Sequence, residues 1–294
     1  MKARVFLLAC TSLSLAACSG GGGSDGGGLT VGTPPASYQT LPLTASADFQ
    51  VDNAAVVSIN RSATPAHADT LGIHYDAASK TYTLNGAGWQ DSFGPAQLQT
   101  PPAGTTPGAD SYRTGTVPPN FFTVNKSGND NPVAAARYTY VTWGVWTRNQ
   151  PNSTIVFGVA GYQTTAADLP HTGSATYSGQ VQGVASDASG VYSLASTSTG
   201  GLTANFATGT LTTTLALSGK LTPAAATVDF GSYTGTATIS SAAGYQGTLT
   251  GTTGYNGNFN GAFYGPAAAE TGYTFTLNRN AGESAAGLFV GKKP

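Results

Sequence analysis

After Pro170 the chain shows a regular alternation of apolar and polar positions. In each short run the apolar side chains share one parity, and threonine, serine or asparagine takes the other. Successive side chains of a β-strand point to opposite faces of the sheet. This period of two therefore predicts strands with one buried and one solvated face. The clearest runs are residues 202–206, 211–217 and 273–277.

Glycine falls on the same parity as the aromatic residues in this part of the chain, in the order Gly257, Phe259, Gly261, Phe263, Gly265. A glycine weakens an ordinary strand, but next to a large ring it leaves room for that ring and lets the sheet curl sharply. About eight short strands joined by short turns predict a small closed β-barrel. Side chains fill an interior of that size, so the barrel does not need a ligand inside it.

The first half of the chain predicts a second β-rich region. It contains short strand-like runs and no sustained helical periodicity, and residues 139–146 are β-branched and aromatic throughout, which favours a strand. Residues 99–119 are rich in Pro, Gly and Thr and predict a long loop. The predicted strands lie at residues 48–60, 71–75, 81–85, 121–124, 138–147 and 154–159.

The N-terminus is typical of an export signal. Lys2 and Arg4 precede an apolar run over residues 5–15, which is too short to span a bilayer because a spanning helix takes about 20 residues. The segment Leu15-Ala16-Ala17-Cys18 then resembles the bacterial lipobox, in which the cysteine is lipidated before the chain is cut in front of it.

We therefore expect a signal peptide over residues 1–17 and a lipidated Cys18, which begins a Gly/Ser-rich tether over residues 18–37. Cys10 leaves with the signal, so the mature chain has no thiol left for a disulfide. Ser19 stands where an aspartate commonly retains lipoproteins at the inner membrane. We expect a lipid-anchored protein of the outer membrane that faces the cell surface.

Charge is scarce. Charged residues make up 9% of the chain and the net charge is −1, whereas an average globular protein has about 25% charged residues. Because the sequence has no basic run, nucleic acid is not expected as a partner. It also lacks the H-E-x-x-H, P-loop and G-x-S-x-G patterns, so neither catalysis nor a metal site is expected.

Two stretches near the C-terminus form a recognisable motif. Residues 257–272 read Gly-Asn-Phe-Asn-Gly-Ala-Phe-Tyr-Gly-Pro-Ala-Ala-Ala-Glu-Thr-Gly, and residues 286–293 read Ala-Gly-Leu-Phe-Val-Gly-Lys-Lys. They resemble the closing strands of the β-barrel domain of transferrin-binding protein B and its relatives, and residues 169–179 resemble the first strand of that barrel. The motif residues, for which we expect a structural role, are Phe263, Tyr264, Gly265, Pro266, Glu270, Gly272 and Phe289.

The resemblance implies an all-β fold with an N-terminal β-rich handle domain over residues 38–168. A C-terminal small eight-stranded antiparallel β-barrel follows over residues 169–294. The family implies a surface-exposed binding protein in iron or host-protein acquisition, whose ligand is a host or environmental protein. It further implies a TonB-dependent outer-membrane receptor as a partner, and a monomer. The chain has room for one such lobe, and single-lobe relatives bind other host proteins or haem.

Glu270 is the only acidic residue between Asp229 and Glu283. It follows Gly265-Pro266 in the sequence. This pair signals a turn, because proline fixes φ and cannot continue a strand ladder. A carboxylate in such a turn can accept hydrogen bonds from backbone N–H groups. We therefore expect a structural role for Glu270.

Three residues of the first half are candidates for ligand binding. Trp89 is flanked by glycines and is a candidate for an exposed contact, since Trp is enriched at binding hot spots. His67 and His74 are candidate axial ligands if the protein captures haem, the one cofactor that remains open. Two alternatives to host-protein binding therefore stand: a haem or small-molecule carrier of the same fold, and a structural envelope lipoprotein without a specific ligand.

Overall fold

A computed structural model describes residues 38–58, 65–86, 88–103, 107–149, 153–194, 196–279 and 283–294. The predicted signal peptide, Cys18 and the tether lie outside the described residues and stay predictions. The described residues belong to one compact unit with two antiparallel β-sheets. None of its described helices is long and apolar enough to cross a lipid bilayer.

The first sheet has eight strands and is referred to as the handle. The strands are β1 (Ala47–Ser58), β2 (His67–Asp76), β3 (Thr81–Gly86), β4 (Trp89–Phe93), β5 (Ala109–Arg113), β6 (Phe121–Asn125), β7 (Val141–Arg148) and β8 (Thr154–Gly161). Their order is β4-β3-β2-β1-β8-β7-β6-β5, so β1 and β8 are central and β4 and β5 are the edges. Short 3-10 helices lie at Pro95–Gln97, Gly128–Asp130 and Ala134–Ala136.

The handle curls until its two edges approach each other. Leu98, which follows β4, forms an isolated bridge with Tyr112 of β5. The Asp91 carboxylate of β4 accepts hydrogen bonds from Asn120 Nδ2 at 2.7 Å and from Trp146 Nε1 at 3.0 Å. The handle therefore has an interior of its own. Its buried side chains include Val51, Leu71, Ile73, Leu84, Phe93, Tyr112, Phe122, Trp146 and Val156.

The prediction of a continuous loop over residues 99–119 is wrong, because Ala109–Arg113 forms the edge strand β5. In this strand Tyr112 is buried, while Asp110 forms an ion pair with Lys126 at 3.3 Å. This strand forms a ladder with β6 alone, and its other side has the isolated bridge to Leu98. It therefore needs little of the apolar alternation that reveals a strand in the sequence. The other edge, β4, is missing from the predicted strands for the same reason.

The second sheet contains nine strands and is referred to as the barrel. They are β9 (Ser174–Ser186), β10 (Val191–Leu194), β11 (Thr199–Asn205), β12 (Thr210–Lys220), β13 (Val228–Ile239), β14 (Gly244–Gly251), β15 (Asn256–Tyr264), β16 (Glu270–Asn278) and β17 (Ser284–Lys292). A 3-10 helix at Pro266–Ala268 joins β15 to β16.

Eight of these strands, β9 and β11–β17, pair in an antiparallel ring that returns to β9. The short β10 pairs with the ends of β9 and β12. The predicted all-β fold, a β-rich handle followed by a small eight-stranded antiparallel barrel, is confirmed. The predicted boundary between residues 168 and 169 lies in the connection from β8 to β9, and as a domain boundary it stays a prediction.

The interior of the barrel is filled by side chains. The ring of Phe259 lies against Gly235 and Gly247, where a Cβ atom would come within 2.7 Å of the ring. Glycine thus leaves room for the ring, as the shared parity of glycine and aromatic residues predicts. The fully buried inward side chains include Tyr177, Leu202, Leu215, Tyr233, Leu249, Phe259, Phe263, Tyr273, Phe275 and Phe289.

The handle covers one side of the barrel. The outward side chains Ala286, Leu288 and Val290 of β17 are fully buried in a cluster that contains Trp143 of the handle. This strand is therefore apolar on both of its faces. Trp143 and Trp146 lie on opposite faces of β7, as their spacing of three predicts: Trp143 packs at the junction and Trp146 inside the handle.

Candidate functional site

A long open groove lies between the handle and the barrel, beside their apolar junction. It consists of two adjoining cavities with volumes of about 870 Å³ and 630 Å³. Residues of β1, β2 and β8 form the handle wall, and residues of β13–β16 form the barrel wall. Asn53, Gln246, Asn260 and Thr274 line both cavities, so the two are continuous.

The groove is almost uncharged. Besides tyrosines, Asp48 and His67 are the titratable side chains among the described lining residues. The Asp48 side chain is 85% exposed, and its carboxylate lies 2.7 Å from Nδ1 of His74. Twelve uncharged side chains that can form hydrogen bonds line the rest: Gln50, Asn53, Gln163, Thr238, Ser240, Gln246, Thr248, Asn258, Asn260, Thr274, Thr276 and Asn278.

The strand register places the barrel's polar side chains side by side. Outward residues of β13–β16 face one another directly across strands that are about 4.8 Å apart, and Asn260 Nδ2 donates to Gln246 Oε1 at 3.3 Å. The wall of the groove is therefore a regular array of amides and hydroxyls. One row is Thr238, Gln246, Asn260 and Thr274, and the next is Thr236, Thr248, Asn258 and Thr276.

Two buried tyrosines complete the wall of the larger cavity. The Tyr245 hydroxyl forms a hydrogen bond of 2.6 Å with Thr271 Oγ1, and Tyr264 is buried at the junction with the handle. Burial raises the pKa of Tyr245 and also the pKa of Tyr264. Both phenols are therefore neutral at physiological pH and add no charge to the groove.

Polar contacts tie the two walls of the groove together. The Thr274 hydroxyl donates a hydrogen bond to the carbonyl of Asn53. The Asn278 side chain holds both backbone groups of Ala66: its Oδ1 accepts from the Ala66 N–H at 2.8 Å and its Nδ2 donates to the Ala66 carbonyl at 2.9 Å. The width of the groove is thus fixed at several points by the barrel strand β16.

Replacing Asn278 by Ala should loosen the handle wall. The substitution leaves the N–H and carbonyl of buried Ala66 without these partners, which typically costs about 1–3 kcal/mol. We expect faster hydrogen exchange at the Ala66 amide and a lower free energy of unfolding. Asn256→Ala is a matched control, because Asn256 faces Asn278 across the β15–β16 ladder but is exposed. Equal exchange at Ala66 in both variants would contradict the clamp.

The structure separates the two candidate histidines. His67 lines the smaller cavity, and its Nδ1 lies 3.2 Å from the carbonyl of Pro65. His74 contacts Asp48 beside the larger cavity. The two are seven positions apart on β2, a distance of roughly 23 Å, so they do not share a site. The described residues contain no group of three or more His, Cys, Asp or Glu side chains that could hold a metal ion.

Trp89 lies outside the groove, at the edge of the handle. Its ring packs on Trp146 with the ring centroids 3.8 Å apart, and the Arg148 guanidinium lies 3.9 Å from the ring centroid of Trp89. The ring is half-buried. These contacts show that Trp89 packs against other side chains of the handle. Its role as a ligand contact stays a prediction.

The motif residues lie near the end of β15, the start of β16 and the end of β17, which pair with one another. Phe263 and Phe289 are inward and fully buried, and Pro266 begins the 3-10 helix between β15 and β16. Gly265 has φ of +72°, and a Cβ atom there would lie 2.2 Å from the ring of Tyr140. Gly272 likewise faces the handle, since its Cβ would lie 2.7 Å from Val159.

Glu270 links the two sheets directly. Its Oε1 accepts the N–H of Thr139 at 2.7 Å, and its Oε2 accepts the N–H groups of Tyr140 at 2.8 Å and Val141 at 2.9 Å. Burial raises the pKa of this carboxyl, whereas the three N–H groups and nearby Lys292 act in the opposite direction. The acid of the barrel motif thus caps the start of handle strand β7.

The amide side chains of the groove are absent from the candidates that the sequence suggests, whereas His67, Tyr264 and Gly272 are among the residues singled out there. Gln246, Asn258 and Asn260 occupy outward positions, where any solvated strand carries polar side chains. The one signal that sets them apart is the presence of amides on adjacent strands in place of charged residues. Their alignment with Asn53 of the handle depends on the packing of distant segments.

The fold defines the class of protein: an all-β scaffold in which a filled barrel and a curled handle enclose an uncharged groove. Residues 169–293 match the family model described as the C-lobe and N-lobe beta barrels of Tf-binding protein B. The resemblance seen in the sequence is thereby confirmed: residues 169–293, which form the barrel, are similar to that barrel family.

Several solved structures are similar to parts of this chain. One is a variant of transferrin binding protein B from Haemophilus parasuis Hp5, with 13% identity, 76% of this chain and 51% of that chain covered and a TM-score of 0.47. Isotype 1 transferrin binding protein B from serogroup B Neisseria meningitidis has 16% identity, covers 85% of this chain and 44% of its own, and has a TM-score of 0.44.

The N-lobe domain of lactoferrin binding protein B from Moraxella bovis has 17% identity, with 64% of this chain and 80% of that chain covered and a TM-score of 0.37. The present chain thus spans about half the length of the Haemophilus parasuis protein. No curated protein matches the chain.

Proposed function

We propose that this protein is a surface-exposed outer-membrane lipoprotein that binds a host or environmental protein and serves iron or host-protein acquisition. Its role is binding and not catalysis. The family of the barrel supports the binding role, and the lipobox-like residues 15–18 support the lipid anchor. A TonB-dependent outer-membrane receptor would receive the captured iron source from the monomeric protein.

The filled barrel is the observation that directs binding to the groove. Aromatic and aliphatic side chains occupy its inward positions, and those side chains are almost fully buried. A ligand therefore has no place inside the barrel and must contact its outside. Binding sites are typically concave and largely preformed. The groove fits that description, because its walls are ladder-paired strands joined by Glu270, Thr274 and Asn278.

Direct binding to purified proteins tests the proposal. The full chain is immobilised and presented with transferrin and lactoferrin, each with and without iron, and then with fractions of serum and spent medium. Intact cells should bind the same protein, because the proposed lipoprotein is exposed on the cell surface. Absence of any protein ligand for both the purified chain and intact cells would contradict the proposal.

A charge placed in the groove should weaken binding if the groove is the site. Asn260→Lys puts a cation on a wall that holds almost none, and we expect affinity for the captured protein to fall at least about tenfold, as is usual for a disrupted contact at the centre of an interface. Thr234→Lys is the control, since Thr234 is outward on β13 but does not line the groove. Equal affinities of the two variants would place the site elsewhere.

A small-molecule carrier is the second candidate, and one cavity favours it. A further space of about 390 Å³ adjoins the groove at Phe49 and is lined by apolar side chains that include Ile73, Tyr82 and Phe122, and by the charged residues Asp110, Lys126 and Asp130. This volume lies in the range of ligand pockets, roughly 300–1,000 Å³. Neither His67 nor His74 lines it. Titration of the purified chain with haemin tests whether the small molecule is haem. A haem carrier should shift the Soret band at micromolar haemin, and the absence of a shift would contradict haem binding.

A further inference from the structure

We infer that the groove binds a neutral glycan, meaning a chain of uncharged sugar units, either free or attached to a protein. This inference rests on the proposed function in one respect, which is that the groove is the binding site. It adds the chemical class of the ligand. The ligand class follows from the charge, the donor and acceptor pattern and the strand pairing of the two walls.

The charge of the groove selects against charged ligands. An anionic or cationic ligand needs an opposite charge to replace the water it loses. The described lining residues offer only Asp48, which is bonded to His74, and His67 at the other end. A neutral polar ligand makes no such demand. The groove therefore suits a polymer that carries many polar groups but no charge.

The donors and acceptors of the walls match those of sugar hydroxyls. Each side-chain amide offers both a donor and an acceptor, and each hydroxyl can act as either. A sugar hydroxyl has the same dual capacity. The regular rows across β13–β16 place these groups at strand spacing, about 4.8 Å in one direction and about 7 Å in the other. Several hydroxyls of neighbouring sugar units can thus be bonded at once.

The groove also offers apolar ground beside the polar rows, where Gly244 and Ala262 face each other across β14 and β15. Val159, Ala160 and Ala262 line the larger cavity together with Gly244 and Gly261. Glycine and alanine leave a flat surface with little relief. A sugar ring has an apolar C–H face and a polar rim, so it can lie on this flat ground while its hydroxyls reach the amides.

Strand pairing on the barrel wall argues against an extended peptide as the occupant. A peptide that adds to a sheet needs an edge strand with unpaired backbone groups. On the barrel wall β14, β15 and β16 each pair on both sides, so recognition there depends on side chains alone. On the handle wall the lining residues 48–51 of β1 pair with β2, whereas β1 pairs with β8 over residues 55–58. A peptide that binds the groove in place of a glycan is an outcome that overturns the inference.

Two glycine substitutions form a matched test. Gly244 lines the groove, and a Cβ atom there would lie 3.5 Å from Ser240 Oγ and 3.7 Å from the Gly261 carbonyl, which is ordinary contact. Gly201 on β11 is outward and outside the groove, and its Cβ would lie 3.6 Å from Thr214 Oγ1. Gly244→Phe therefore blocks the groove, whereas Gly201→Phe adds the same ring elsewhere on the barrel.

The full chain is titrated by calorimetry with maltoheptaose and chitohexaose as neutral probes and with heparin hexasaccharide and polygalacturonate fragments as anionic probes. We expect a neutral probe to bind more tightly than the anionic ones. Gly244→Phe should weaken this binding at least about tenfold, and Gly201→Phe should leave it unchanged. Gln246→Leu with Asn258→Leu gives a second variant, which removes hydrogen bonds without filling the groove.

Failure of both neutral probes to bind would overturn the inference, as would equal loss of binding in the Gly244 and Gly201 variants. A captured protein, if one is found, is tested before and after enzymatic removal of its glycans. Binding that survives this treatment and resists competition by the neutral probes refutes the glycan but leaves the proposed function standing. Glycan binding without any protein ligand supports the inference and refutes host-protein capture.

Discussion

Replacing Glu270 by Gln is expected to lower the free energy of unfolding by about 1–3 kcal/mol, because leaving a buried hydrogen-bond donor without its acceptor typically costs that much. The two carboxylate oxygens accept three backbone N–H groups from residues 139–141. A glutamine keeps one acceptor oxygen and turns an NH2 group toward the remaining N–H donors. At least one buried donor is left unsatisfied, and the charge that strengthened the other bonds is lost.

The effect should be localised as well as large. These N–H groups lie at the start of β7, so hydrogen exchange of Tyr140 and Val141 should accelerate more than that of the barrel strands. Glu283→Gln is the matched control, because Glu283 pairs with Arg279 at the surface, where ion pairs contribute little. Equal destabilisation by the two substitutions, measured by urea denaturation, would show that Glu270 does not join the sheets.

The barrel could be predicted because the polarity of each residue in its strands matches the burial of its side chain. Inward Leu, Tyr and Phe alternate with outward Thr and Asn over several strands, and the period of two holds wherever water covers the outer face. The pattern ends at β17, where residues 285–290 are buried on both faces. Its period of two is hidden by the handle that covers it, so the family motif over residues 286–293, and not the alternation, indicates this strand in the sequence.

The edges of the handle and the groove could not be predicted, for different reasons. Edge strands such as β5 bury few side chains and carry charge, so their sequence resembles that of a loop. The groove depends on contacts between segments that are far apart in the chain, such as Asn278 with Ala66. Glu270 shows the limit clearly: its isolation among uncharged residues indicates a structural carboxylate, but nothing local indicates that its partners are residues 139–141.

Replacing Phe289 by Ala is expected to lower the free energy of unfolding by about 3–5 kcal/mol, the usual cost of removing a buried aromatic side chain. Phe289 is fully buried, and its ring centroid lies 5.1 Å from that of Tyr273. The ring fills the space above two glycines, since Cβ atoms at Gly200 and Gly291 would lie 2.6 Å and 2.7 Å from it. Its removal therefore leaves a cavity that the rigid barrel strands cannot close.

The glycine opposite this ring provides the decisive measurement. A Cβ atom at Gly200 would first meet Phe289 and then Val181, both through side-chain atoms. Gly200→Ala alone should thus destabilise by about 1–3 kcal/mol through overpacking. In the Phe289→Ala background the new methyl group enters vacated space, so the double variant should be more stable than the sum of the single effects by at least about 1 kcal/mol.

The control is a second double-mutant cycle that combines Gly201→Ala with Phe289→Ala. Gly201 is the next residue of β11 but faces outward, and a Cβ atom there would have its nearest contact at 3.6 Å. Distant sites add to within about 0.5 kcal/mol, and this pair should do the same. Coupling at Gly200 but not at Gly201 means that glycine is required there by the ring it faces. If the effects on stability add in both double variants, Gly200 is not required by the ring of Phe289. Glycine would then serve the curvature of the strands alone, and packing against rings would not explain why glycine and aromatic residues share one parity.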